Sequence, residues 1–86
     1  MLKIWAKIMV DHKIKKDIIY ESMENYSRET FFDHVSEICY QLNIPTPVLI
    51  NAHYHTYENF NNIKFLPRDF VESIDFDYLI FENALT

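Results

Sequence analysis

The feature that most constrains this chain is an absence: its 86 residues contain no glycine. Every backbone position that needs a positive φ must then be filled by Asn, Asp or His, the residues that tolerate the left-handed region best after glycine. That requirement places the corners at Asp11–His12, Asn43, Asn51 and Asn61–Asn62. It also removes classes of function. Phosphate-cradling loops and dinucleotide-binding turns need glycine where the backbone meets the ligand, so P-loop and Rossmann readings are excluded.

Between two of these corners lies the segment with the clearest pattern. From Ser27 to Asn43 the apolar residues Phe31, Phe32, Val35, Ile38, Cys39 and Leu42 recur at i, i+3, i+4, while Asp33, His34, Glu37 and Gln41 point elsewhere. The pattern predicts an amphipathic helix. Ser27 is placed to cap its start, Tyr26 to close over Phe31 as a hydrophobic staple, and Glu29 to meet the helix dipole. Asn43 and then Pro45 end it.

The flanking segments read as strands. Leu2, Ile4, Ala6, Ile8 and Val10 alternate with Lys3, Trp5, Lys7 and Met9, a period of two that predicts a half-buried strand. Asp11–His12 interrupts, and Ile14, Ile18 and Tyr20 resume an apolar face to about Ser22, with Lys16 breaking the alternation. An antiparallel hairpin follows from the two runs. Beyond the helix, Pro45 and Pro47 impose an extended lead into Val48–Leu49–Ile50, read as a buried strand. Asn51 to Asn62 fits one or two helical turns capped by Asn51; as a strand it would instead align His53, His55 and Tyr57. Ile63–Phe65 predicts a short strand, Pro67 a bend or a small helix over Arg68–Glu72, and residues 77–82 a last strand apolar on both sides.

The expected architecture is α+β: one domain, residues 1–86, with an antiparallel or mixed sheet of four to five strands and one main helix, about 28–42, on one face. An aromatic content of 16% lets so short a chain bury a large area per residue. The run NIKFLPRDFVESIDFDYLIFE from Asn62 to Glu82, with the NIPTPVLI segment before it, resembles a functionally uncharacterised family of short proteins from low-GC Gram-positive bacteria. The resemblance implies a bacterial, cytoplasmic setting and assigns no role to any residue.

Charge and cysteine bound the partners. The formal charge is −5, with six basic and four acidic groups in residues 1–28 against two and nine in residues 29–86. A body of that sign repels nucleic-acid phosphate except at its N-terminal part. The single cysteine, Cys39, falls on the apolar helix face, which fits a reducing compartment and a small buried hydrophobe better than a nucleophile. No run of 18 apolar residues exists, so no membrane span is expected and the cytoplasm is the expected location.

Three constellations remain. His53, His55 and Glu58 suggest a metal site, yet residues two apart on a helix lie roughly 200° around the axis, and four converging zinc ligands cannot be assembled. Asp69, Glu72, Asp75 and Asp77 form an acidic cluster, more commonly a solubilising edge than an acid/base pair or a Mg²⁺ site. Neither supplies a nucleophile with oxyanion donors, so no enzyme and no cofactor are expected. The third is the strand face of Lys3, Trp5, Lys7 and Met9. It is expected to be a protein contact surface, for an unknown partner or a second copy. A single-stranded nucleic-acid site built from Trp5 stacking and the lysines, with Lys13 and Lys15 beside them, ranks behind it.

Overall fold

The alternating N-terminal runs become a hairpin because a two-residue connection whose residues both have positive φ matches the right-handed twist of the strands it joins. In the computed structural model, which describes residues 1–84, β1 (Leu2–Val10) and β2 (Lys13–Ser22) pair antiparallel around Asp11 and His12, at φ 51° and 64°. The Asp77 carboxylate accepts a 2.8 Å hydrogen bond from the Asp11 amide and ties the turn to the far end of the chain. Two further strands, β3 (Asn62–Phe65) and β4 (Tyr78–Asn83), complete an all-antiparallel sheet in the order β2-β1-β4-β3.

Two helices, α1 (Arg28–Leu42) and α2 (Asn51–Phe60), cover one face. At the start of α1 the Ser27 hydroxyl accepts from the Thr30 amide, and the Tyr26 ring meets Phe31 edge-on with centroids 5.2 Å apart. At its end Asn43 turns left-handed at φ 59°, donating to the Tyr40 carbonyl while Ile44 donates to Cys39. Phe31, Val35, Ile38, Cys39 and Leu42 are fully buried against Ile4, Ala6, Phe65, Leu79 and Phe81 of the sheet.

The stripe is rotated slightly from its expected setting. Phe32 is 44% exposed, whereas His34 is buried with its Nδ1 2.7 Å from the Tyr20 hydroxyl. A short polar ring with a hydroxyl partner fits at the margin over β2; an unpartnered Phe there can project into solvent. The break in alternation at Lys16 also has a local cause. Lys16 lies opposite Ile8 and therefore on the helix-covered side, from which its ammonium donates to the Leu42 carbonyl at 3.2 Å. A strand thus supplies the cation that the last turn of α1 lacks.

Three local expectations are corrected. Val48–Ile50 forms no strand: the Val48 amide donates to the Asp69 carbonyl and Ile50 bonds to His53 at the start of α2, with Val48 and Ile50 exposed and Pro47 buried. α2 runs longer than two turns, and Asn51 is its first residue, not its cap. The cap position is Ile50, whose amide donates to His53 Nδ1 at 3.0 Å. The small helix after Pro67 shrinks to a 3₁₀ turn, Pro67–Asp69, closed by a 2.8 Å bond from the Leu66 amide to the Asp69 carboxylate. Its successor Phe70 instead leaves for the core and packs edge-on against Phe76.

Phe31 joins α1, α2 and the sheet, so Phe31→Ala should cost about 3–5 kcal/mol in urea unfolding followed by circular dichroism. Tyr40→Ala, on the same helix but 80% exposed, should stay within about 0.5 kcal/mol of the parent.

Candidate interaction face of the sheet

With both helices on one side, the odd-numbered positions of β1 remain on an uncovered face. Trp5 sits there between Ile19 of β2 and Glu82 of β4, and Lys7 between Asp17 and Ile80. Directly opposite residues share a side, so the face comprises Lys3, Trp5, Lys7 and Met9 with Ile14, Asp17, Ile19, Glu21, Tyr78, Ile80, Glu82, Asn62 and Lys64. Trp5 is half-buried by its own neighbours, while Ile19 remains 52% exposed.

The electrostatics of this face differ from the expectation of an aromatic between two free cations. The Lys7 ammonium lies 3.9 Å from the centre of the Trp5 ring and 2.7 Å from Glu82 Oε1, and the residue is only 9% exposed. A lysine is tolerated in such a place because a carboxylate and an aromatic face replace the water it loses. Trp5 Nε1 donates to Asp17 at 2.7 Å, Lys3 is 3.6 Å from Glu21, and Lys64 lies 4.4 Å over the Tyr78 ring. Lys13 does not join them: it faces Val10 on the helix-covered side. Lys15 falls at the register shift between Ile8 and Met9 and pairs with Asp75 at 3.6 Å. The face therefore carries three cations and three carboxylates.

The histidines are not brought together. His53 is buried, with Nδ1 accepting from Ile50, its ring 5.0 Å from Phe65 and Nε2 3.6 Å from Asp69. His55 is exposed on the other side of α2, 3.5 Å from the Arg28 guanidinium. Glu58 is held by that guanidinium through two 2.8 Å bonds and by the Tyr26 hydroxyl at 2.6 Å. The acidic cluster is equally dispersed: Asp69 and Asp77 accept backbone amides, and Asp75 reaches Lys15. Among the described residues no three His, Cys, Asp or Glu side chains gather as a metal site would require. An open groove of about 600 Å³ beside α1 is lined by Asp33, Glu37, Tyr40, Ile44, Pro45 and Glu72, of which Glu72 alone belongs to the acidic cluster.

Two clusters escaped the sequence reading. Tyr20–His34 and Tyr26–Arg28–Glu58 each join residues from different elements. The only local sign of either was the staple position of Tyr26. Among the described residues no helix is long and apolar enough to cross a membrane. No protein-family model, curated protein or solved structure matches the chain.

Hydrogen bonds from Arg28 and then from Tyr26 hold the Glu58 carboxyl at about 2, against an ordinary 4.5. A depressed carboxyl contributes stability that is present above its unfolded value and lost as pH falls toward the folded one. Glu58→Gln should therefore melt at a lower temperature than the parent at pH 7, with the gap closing from pH 4.5 downward and gone near pH 2. Thermal scans across that range at low salt would read it; a pH-independent gap would contradict it. Burial pushes the Cys39 thiol up to about 12. A disulfide reagent at pH 8 should label it only once the chain is unfolded in denaturant.

Proposed function

We propose that this domain is a non-enzymatic protein-interaction module of the bacterial cytoplasm whose contact surface is the uncovered sheet face around Trp5, with Lys3, Lys7 and Met9. The observation that carries the reading is the pairing of an uncovered aromatic and aliphatic centre with charges that are already matched. Trp5, Ile19 and Ile80 lie in one cross-strand row system, and the nearby ammonium and carboxylate groups satisfy one another. A partner that covers such a face removes apolar surface from water without leaving a charge unpaired. The bacterial setting comes from the resemblance of the Asn62–Glu82 run.

Nucleic acid ranks behind a protein partner on the same observation. Phosphate binding draws its affinity from cations free to replace counterions, and here Glu82 and Glu21 already occupy Lys7 and Lys3. A metal role through His53 and His55 would need one helix to turn both rings to one side.

A photoreactive phenylalanine analogue placed at Ile19, and at Tyr40 as a control on the helical side, tests the proposal in living cells. Irradiation should give covalent protein adducts from position 19 in excess of those from 40. Adducts to nucleic acid, or none, would refute it.

A further inference from the structure

From the charge distribution over this face, we infer that its partner is a second copy of the same chain, stacked face to face across a two-fold axis. The inference rests on the reading of the face as a protein contact. Lys3, Lys7 and Lys64 balance Asp17, Glu21 and Glu82, so the face is neutral while the chain as a whole carries −5. All of the net charge therefore lies off the face. Two copies brought together through their helical sides would confront acidic surfaces, and through their β2 edges would confront Lys13, Lys15 and Lys16. Brought together here they keep those sides apart, beyond the reach of most of the repulsion in physiological salt, where the screening length is about 8 Å. A basic partner would find little net attraction on a neutral surface, and an acidic one no anchor. The neutral, apolar-centred face is complementary to itself, as a two-fold interface requires.

Its size sets the strength. Four strands about 4.8 Å apart, averaging about seven residues at about 3.3 Å each, give a face of roughly 450 Å². Two copies would bury about 900 Å², below the about 1,200 Å² at which ordinary stable interfaces begin. For a protein of 5422 Å² accessible surface this is a modest contact. The dimer is accordingly weak and concentration-dependent, with a dissociation constant in the micromolar range or above.

Sedimentation equilibrium from about 10 μM to about 1 mM reads it, the upper limit being where association of about 4 kcal/mol becomes visible. The wild-type mass should rise toward twice the 10.4 kDa of the chain. Ile19 is exposed enough to be replaced without harming the fold, which circular dichroism verifies. Ile19→Asp and Ile19→Lys should each raise the dissociation constant at least about tenfold, by burying an unpaired charge on both copies. Mixed in equal amounts at about 10 mM salt, where the screening length of about 30 Å spans the face, the two variants should associate again. Tyr40→Asp should associate like the wild type.

A chain that stays monomeric to about 1 mM, or a mixture no better associated than either variant alone, would overturn the second copy as partner. So would a dimer indifferent to both changes at Ile19. If protein adducts still form from position 19 in cells, and those adducts hold another protein, the contact face stands and only the identity of its occupant fails. Binding of a single-stranded oligonucleotide that competes with any self-association would overturn both readings.

Discussion

The arrangement depends on one long-range pairing, that of β4 with β1. Six residues near the end of the chain lie against the middle of its first strand, from Ile4 opposite Asn83 to Met9 opposite Tyr78. This makes β1 a central strand with a neighbour on each side. On the inner face Leu79 and Phe81 complete the floor on which α1 rests, and Phe65 reaches that floor only because β3 hydrogen-bonds to β4. On the outer face the same pairing delivers Glu82 to Lys7. Without it the lysine would keep the Trp5 ring but lose the carboxylate that offsets its desolvation. Core and surface chemistry are thus fixed by the same set of backbone hydrogen bonds.

Such a pairing explains which parts of the fold were legible from residue order. Of the expected corners, Asp11–His12, Asn43 and the Asn61 half of Asn61–Asn62 are left-handed, because a chain without glycine has few other residues for those backbone states, whereas Asn51 opens α2. The caps of α1 and the period of β1 are equally local and were equally readable. Local pattern does not reveal neighbours. Val48–Ile50 has the composition of a buried strand, yet it joins no strand and leads into α2, its Val48 amide taken by the Asp69 carbonyl from a distant turn. The exchange of Phe32 for His34 has the same origin: the Tyr20 hydroxyl, fourteen residues earlier, gives the buried imidazole a partner for its Nδ1. At the candidate face the pattern placed Trp5, Lys3, Lys7 and Met9 on one side of a strand, but the partners Asp17, Glu21 and Glu82 come from other strands.

That matching changes what the face can do. An ammonium stacked on an indole and bonded to a carboxylate behaves as part of a semi-rigid surface, its side-chain entropy already lost on folding. A partner docking there meets ordered groups and incurs less of the ordering cost that long cationic side chains usually impose on association. The same ordering removes long-range steering, because a neutral patch projects little field. Encounter would be unassisted and the contact would depend on shape and apolar area.

Of the sheet's two outer edges, those of β2 and β3, the β2 edge is the longer, and its composition argues against strand addition there. A ten-residue edge strand offers a row of free backbone donors and acceptors that invites another strand to add on. β2 counters this along its first half with Lys13, Lys15, Lys16 and Asp17, and with the register shift opposite Ile8 and Met9 that interrupts its regular hydrogen-bonding edge. Two such edges approaching each other would bring several lysines of one copy against those of the other over the irregular stretch. Lys16 is further committed to the α1 C-terminus, so swinging it aside would uncap a helix. Edge addition is opposed by charge and geometry, whereas the flat side of the same strand presents Ile19 beside the charge-matched Trp5 row. With the β2 edge guarded and the face beside it open, the proposed contact would be a closed, two-sided stacking instead of strand addition along β2.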